Sequence, residues 1–86
     1  MRPAVRVLVI DDEDSHARAA AEALEKVGYQ CTVATEGREG LRHIRRGGRA
    51  APDGGFDVVI TDLVMKDVDG MEVLKETREH LPRTQV

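Results

Sequence analysis

Aromatic side chains are nearly missing from this chain: Tyr29 and Phe56 are the only two among 86 residues, and there is no tryptophan. Any core must therefore be aliphatic, made of valine, leucine, isoleucine and alanine. The single cysteine, Cys31, cannot close an internal disulfide, and the three scattered histidines offer no zinc-ligand spacing. Long apolar runs are also missing. The longest, residues 7–10, falls far short of the roughly 20 residues needed to cross a bilayer, and no charged-then-apolar leader opens the chain. The expectation is a cytoplasmic protein without membrane contact. Nor is there a surplus of positive charge: 13 basic against 16 acidic side chains give a net charge of -3, which disfavours direct nucleic-acid contact.

What is present suits one small globular domain, with 41% hydrophobic and 34% charged residues. Residues 5–10, VRVLVI, form an apolar, β-branched run of strand length, suited to a central strand covered on both faces. Asp11, Asp12, Glu13 and Asp14 follow, and Asp14 with Ser15 can cap a helix. That helix carries Ala17, Ala20, Ala21, Leu24 and Val27 at three- and four-residue spacing and stops at Gly28. A second strand is expected over 29–35 and a weaker helix over 36–46, where Gly37 and Gly40 leave Leu41 and Ile44 to argue for burial. Residues 47–55, GGRAAPDGG, have loop chemistry.

A third strand over 56–61 ends at Asp62, and a loop over 63–69 leads to a helix over 70–80. Asp69 and Glu72 resemble a capping pair, Met71, Leu74 and Leu81 mark an inner face, and Pro82 closes the helix. Three strand-helix units predict a parallel α/β sheet with right-handed crossovers, whose ligands bind at the carboxyl ends of the strands.

Asp11, Asp12 and Asp62 lie at those ends. If the first and third strands are neighbours, three carboxylates converge with no obvious local cation. Such a cluster calls for a hard ion, and Mg2+ fits because it needs few protein oxygens and keeps room for water and phosphate. A carboxylate beside bound Mg2+ can attack a phosphoryl group, giving an aspartyl phosphate.

The segments VLVIDDED and VVITDLVMKDVDGMEVL resemble the receiver domain of two-component response regulators. The resemblance covers the first three of that family's five β/α units, with residues 1–86 as a partial receiver of a flavodoxin-like, doubly wound fold. It implies Asp62 as phosphoacceptor and Asp11, Asp12, Asp62 and the backbone carbonyl of Val64 as magnesium ligands. It also implies a sensor histidine kinase or phosphotransfer protein as donor, an output domain on a longer chain, and no enzyme activity apart from the signalling chemistry. The wording around the third strand is nearest to receivers that precede transcription-activating modules.

Two features depart from the family pattern. Lys66 stands where proline usually follows the methionine, removing a backbone restraint. The units carrying the family's hydroxyl residue and lysine have no counterpart here, which predicts a truncated form with the third strand as an unpaired, apolar edge. Three other readings remain open at this point. One is a non-catalytic interaction fragment. Another is a phosphatase using Asp12 and Asp14 as a D-x-D pair. The third is a calcium loop from Asp67, Asp69, Gly70 and Glu76, which would have Met65 in the first ligand position. His16 and His43 read as solvated, His80 as a helix-end group, Cys31 as a buried apolar side chain, and Arg42, Arg45, Arg46 and Arg49 as a solvated basic cluster.

Overall fold

A computed structural model describes residues 4–46, 55–81 and 84–86. Most of the glycine-rich stretch over 47–55, Arg49 and Pro82 lie outside the described residues. The elements alternate as expected: β1 (Arg6–Ile10), α1 (Asp14–Lys26), β2 (Gln30–Ala34), α2 (Gly37–Arg46), β3 (Val58–Thr61) and α3 (Gly70–His80). The sheet is parallel, in the order β2-β1-β3.

Because the chain crosses from β2 past β1 to reach β3, α1 covers one face of the sheet, and α2 and α3 cover the other. Alternation along β1 serves both layers: Val7 and Val9 pack with Ala17 of α1, while Leu8 and Ile10 join Leu41, Ile44, Val59 and Val73. An unbroken apolar strand is what a doubly covered position requires. Gly40 lets α2 settle on β1, since a Cβ there would lie 2.5 Å from the Ile10 Cδ1 atom.

Several details differ from the sequence reading. Helix α1 is preceded by Glu13 at the N-cap, which makes no side-chain capping bond, so Asp14 falls inside the first turn. Val27 is 68% exposed because it lies past the end of α1, where Gly28 adopts a φ of 97°. Cys31 is only half-buried, and burial followed by the charge of Glu25 pushes its thiol up from the ordinary value.

The inner face of α3 is Gly70, Val73, Glu76 and Thr77, whereas Met71 is 64% exposed and Leu74 half-buried. Thr77 can point inward because its hydroxyl donates to the Val73 carbonyl at 2.7 Å, which removes the cost of burying it. Leu81 is buried as expected.

The edge of β3 is partnered at its start. Val58 and Gln85 form a parallel bridge, with Val59 N donating to Gln85 O at 2.7 Å and Gln85 N to Asp57 O at 3.0 Å. Farther along, Ile60, Leu63, Met71, Leu74 and Val86 line an apolar groove beside the strand. No helix among the described residues is long and apolar enough to cross a membrane.

Candidate functional site

The pairing of β1 with β3 determines where the acids meet. Ile10 is in register with Thr61, and Asp62 N donates to Ile10 O at 3.0 Å, so Asp62 leaves β3 level with the point where Asp11 leaves β1. On the other side, Asp11 N donates to Ala34 O at 3.1 Å. The ends of the central strand and one neighbour thus deliver three aspartates to one corner of the sheet, between the layers' loops.

One carboxylate oxygen from each of Asp11, Asp12 and Asp62 lies within 4.8 Å of the others. At that spacing, two unit charges repel by about 3 kcal/mol for an effective dielectric near 20, less where water reaches them. Asp11 and Asp12 are half-buried and Asp62 is exposed, so the site is open on the side of Asp62.

Existing bonds leave the cluster free to hold a cation. Asp11 Oδ1 accepts from Glu13 N at 2.9 Å, which orients the carboxylate, and His16 Nδ1 lies 3.9 Å from Asp11 Oδ2. Asp12 Oδ2 accepts from Lys66 N at 3.2 Å. No described residue donates a hydrogen bond to the Asp62 carboxylate. An all-oxygen, net-negative donor set with an open side fits Mg2+, which keeps part of its water shell.

The loop between β3 and α3 is closed just beyond Asp62. Gly70 N donates to Leu63 O at 2.9 Å, and Asp69 caps α3 by accepting from Glu72 N at 2.9 Å. Val64 lies two residues beyond Asp62 in this loop and is 80% exposed.

Other acids that the sequence offered as ligands are engaged elsewhere. Asp14 pairs with Arg18 Nε at 2.9 Å, so it does not join Asp12 in a D-x-D site. The calcium candidates diverge: Asp67 binds the start of α2, Asp69 caps α3, and Glu76 accepts from Arg45 Nε at 2.7 Å. Of the expected solvated cluster, Arg45 is therefore in an ion pair with Glu76. A second acidic group, Glu76 with Glu79 and His80, lies on α3, and Glu76 is already paired within it.

The sequence reading offered Asp67 only as a calcium ligand and missed the contact it makes with α2. Its carboxylate accepts from Gly37 N at 3.0 Å and Arg38 N at 2.9 Å, with Arg38 Nε at 3.5 Å. The bond from Arg38 N, foremost among several main-chain bonds, holds its pKa below the ordinary carboxylate value, and partial burial opposes the shift. No local pattern reveals this contact, because donor and acceptor are about 30 residues apart.

Comparison with known proteins agrees with this geometry. A family model for the response regulator receiver domain matches residues 7–86. Among curated proteins, the chain is 34% identical over 80 residues to the uncharacterized transcriptional regulatory protein YkoG of Bacillus subtilis, covering 93% of this chain and 32% of that protein. It is 36% identical over 81 residues to the regulatory protein AtoC of Escherichia coli, covering 94% of this chain and 16% of that protein. Among solved structures, a response regulator receiver domain protein from Clostridium thermocellum superposes with a TM-score of 0.79 at 32% identity, covering 93% of this chain and 60% of that one. The response regulator TrrA of Thermotoga maritima, solved in complex with Mg(2+)-BeF, gives a TM-score of 0.74 at 32% identity, covering 91% of this chain and 62% of that one. The chain spans a third or less of these two curated relatives and about three fifths of these two solved chains. With three parallel β/α units and an acidic corner of the kind Mg2+ requires, this chain belongs to the response regulator receiver domain family.

Proposed function

We propose that this chain is the phosphoacceptor part of a two-component phosphorelay, with Asp62 as the acceptor. Asp11, Asp12, Asp62 and the backbone carbonyl of Val64 would hold the magnesium ion. The observation that carries the reading is the convergence of the Asp11, Asp12 and Asp62 oxygens within 4.8 Å, at the ends of two adjacent strands. The Mg2+-BeF complex of TrrA supports the choice of ion.

The donor is a phosphohistidine on a sensor kinase or phosphotransfer protein. An Asp62 carboxylate oxygen attacks phosphorus, the O–P bond forms as the N–P bond breaks, and the electron pair returns to the imidazole nitrogen, which is then protonated. Bound magnesium supplies charge neutralisation and alignment of the transferring oxygens. Asp62 suits attack because it is exposed and no described residue donates to its carboxylate. Asp11 is oriented by Glu13 N and Asp12 by Lys66 N, which fixes the ligands before the donor arrives. The setting is cytoplasmic, and the names of the curated relatives, transcriptional and regulatory proteins, favour an output module on a longer chain.

Asp62→Asn tests the assignment. Incubation with a phosphohistidine kinase or acetyl phosphate should give hydroxylamine-labile phosphate on the wild-type chain and none on the variant. Equal labelling of the two would refute Asp62 as acceptor, and label transferred to Asp12 would favour the phosphatase reading.

A further inference from the structure

We infer that Asp67 is a positioning residue for the cation site, acting through the loop that joins the acceptor strand to α3. The inference rests on the function proposed above and adds a residue that the acidic cluster does not include.

The loop from Asp62 to Gly70 has no proline, because Lys66 follows Met65. Its rigidity must come from contacts. One is the bond from Lys66 N to Asp12 Oδ2 at 3.2 Å. The next residue, Asp67, holds the first two N–H groups of α2, from Gly37 at 3.0 Å and Arg38 at 2.9 Å. These are donors that a helix start leaves without partners, and a carboxylate there is also favoured by the helix dipole. The Arg38 side chain, with Nε at 3.5 Å, adds a charge partner.

The fit is close. A Cβ on Gly37 would lie 2.9 Å from Asp67 Oδ1 and 2.7 Å from the Val68 Cβ atom, so the absence of a side chain at Gly37 is what lets the loop reach the helix. Helix α2 is itself seated on β1 through Gly40 and Ile10, and β1 leads directly into Asp11 and Asp12. The contacts therefore form a circuit: β1 holds α2, α2 holds Asp67, Asp67 fixes its neighbour Lys66, and the Lys66 N–H orients Asp12. Loss of Asp67 frees the Lys66 N–H to turn away, leaving one cation ligand unoriented while the three acids remain in place.

The test compares Mg2+ affinity, by calorimetric titration of the 86-residue chain well below its unfolding temperature, for the wild type, Asp67→Ala, Asp67→Asn and Asp57→Ala. Asp57 Oδ2 accepts from Arg6 N at 2.8 Å at the opposite end of the sheet, so its loss controls for a general loss of stability. Asp67→Ala should weaken Mg2+ binding about tenfold. Asp67→Asn, which keeps an acceptor oxygen, should stay within about threefold of wild type, and Asp57→Ala should leave affinity unchanged. In the wild type, Mg2+ should also shift the amide resonances of Gly37 and Arg38, and this response should vanish in Asp67→Ala.

Wild-type affinity in Asp67→Ala overturns the inference while leaving the acceptor assignment intact. An equal loss in Asp57→Ala overturns it too, because the effect would then be one of stability alone. Should Asp67→Ala fail to fold, the wild-type amide titration decides: unmoved Gly37 and Arg38 signals refute the circuit. A wild-type chain that neither binds Mg2+ nor accepts phosphate removes the proposed function and this inference with it.

Discussion

Gly70 lies so near the main chain of Asp62 that a Cβ placed on it would be 2.7 Å from the Asp62 carbonyl oxygen and 2.8 Å from the Leu63 α-carbon. Both atoms are backbone and cannot swing aside. Gly70→Ala should therefore push the start of α3 away from Asp62 and cost about 1–3 kcal/mol, the usual range for forcing atoms into a filled space. Urea denaturation would report the loss, and phosphate uptake at Asp62 should slow in the same variant. A stable, fully active Gly70→Ala chain would mean that the loop can open without disturbing the site.

The face that α3 buries makes a second, separable prediction. Val73 is fully buried, whereas Met71 is 64% exposed. Val73→Ala should cost about 2 kcal/mol, from lost burial and the cavity left behind, and Met71→Lys should change stability by less than about 0.5 kcal/mol. The reverse order in urea midpoints would restore the inner face that the apolar spacing suggests.

That contrast explains what the sequence could reveal. The apolar runs of β1 and β3 and the helical spacing between them lead to the parallel sheet, whereas the neighbouring of β1 and β3 was only a condition of the sequence reading and is supplied by the strand order β2-β1-β3. The site was legible because Asp11, Asp12 and Asp62 sit at strand ends, where topology alone brings them together. The face of α3 was not, because its buried stripe runs through Val73, Glu76 and Thr77, where hydropathy registers only Val73, while the more apolar-looking Met71 points to solvent. The role of Asp67 was hidden for a different reason: it caps a helix about 30 residues earlier, and capping patterns are read locally. Gly37 and Gly40 looked like helix-weakening residues, yet the close approaches of Asp67 and Ile10 require them.

Acid should weaken the fold partly through Asp67. Its folded pKa lies below the ordinary 3.8, chiefly because Arg38 N donates to the charged form. A depressed carboxylate contributes stability that is fully present above the unfolded value and fades as pH falls through the folded one. Asp67→Asn mimics the protonated group. Wild type should thus be the more stable chain at pH 6, and the gap between the two urea midpoints should narrow as pH drops below 3.8. A gap that stays constant from pH 6 to pH 3 would mean that the charge on Asp67 contributes nothing.

Asp12→Asn should act with opposite signs in the absence and presence of magnesium. Without the ion, three carboxylates whose oxygens lie within 4.8 Å repel one another, and neutralising one relieves that repulsion. The gain should be modest, up to about 1 kcal/mol, because water screens a half-exposed cluster. Asparagine also keeps an oxygen to accept from Lys66 N, so the loop contact is preserved. With magnesium at a hundredfold excess over its Kd, the wild type should gain about 2.7 kcal/mol from binding to the folded state alone. The variant has lost a charged ligand and should gain far less, so the order of stability reverses on adding the ion. Thermal melts with and without Mg2+ would measure both effects. A cluster of acids that merely tolerate one another in solvent would give the first effect without the second, whereas a true cation site requires the crossing.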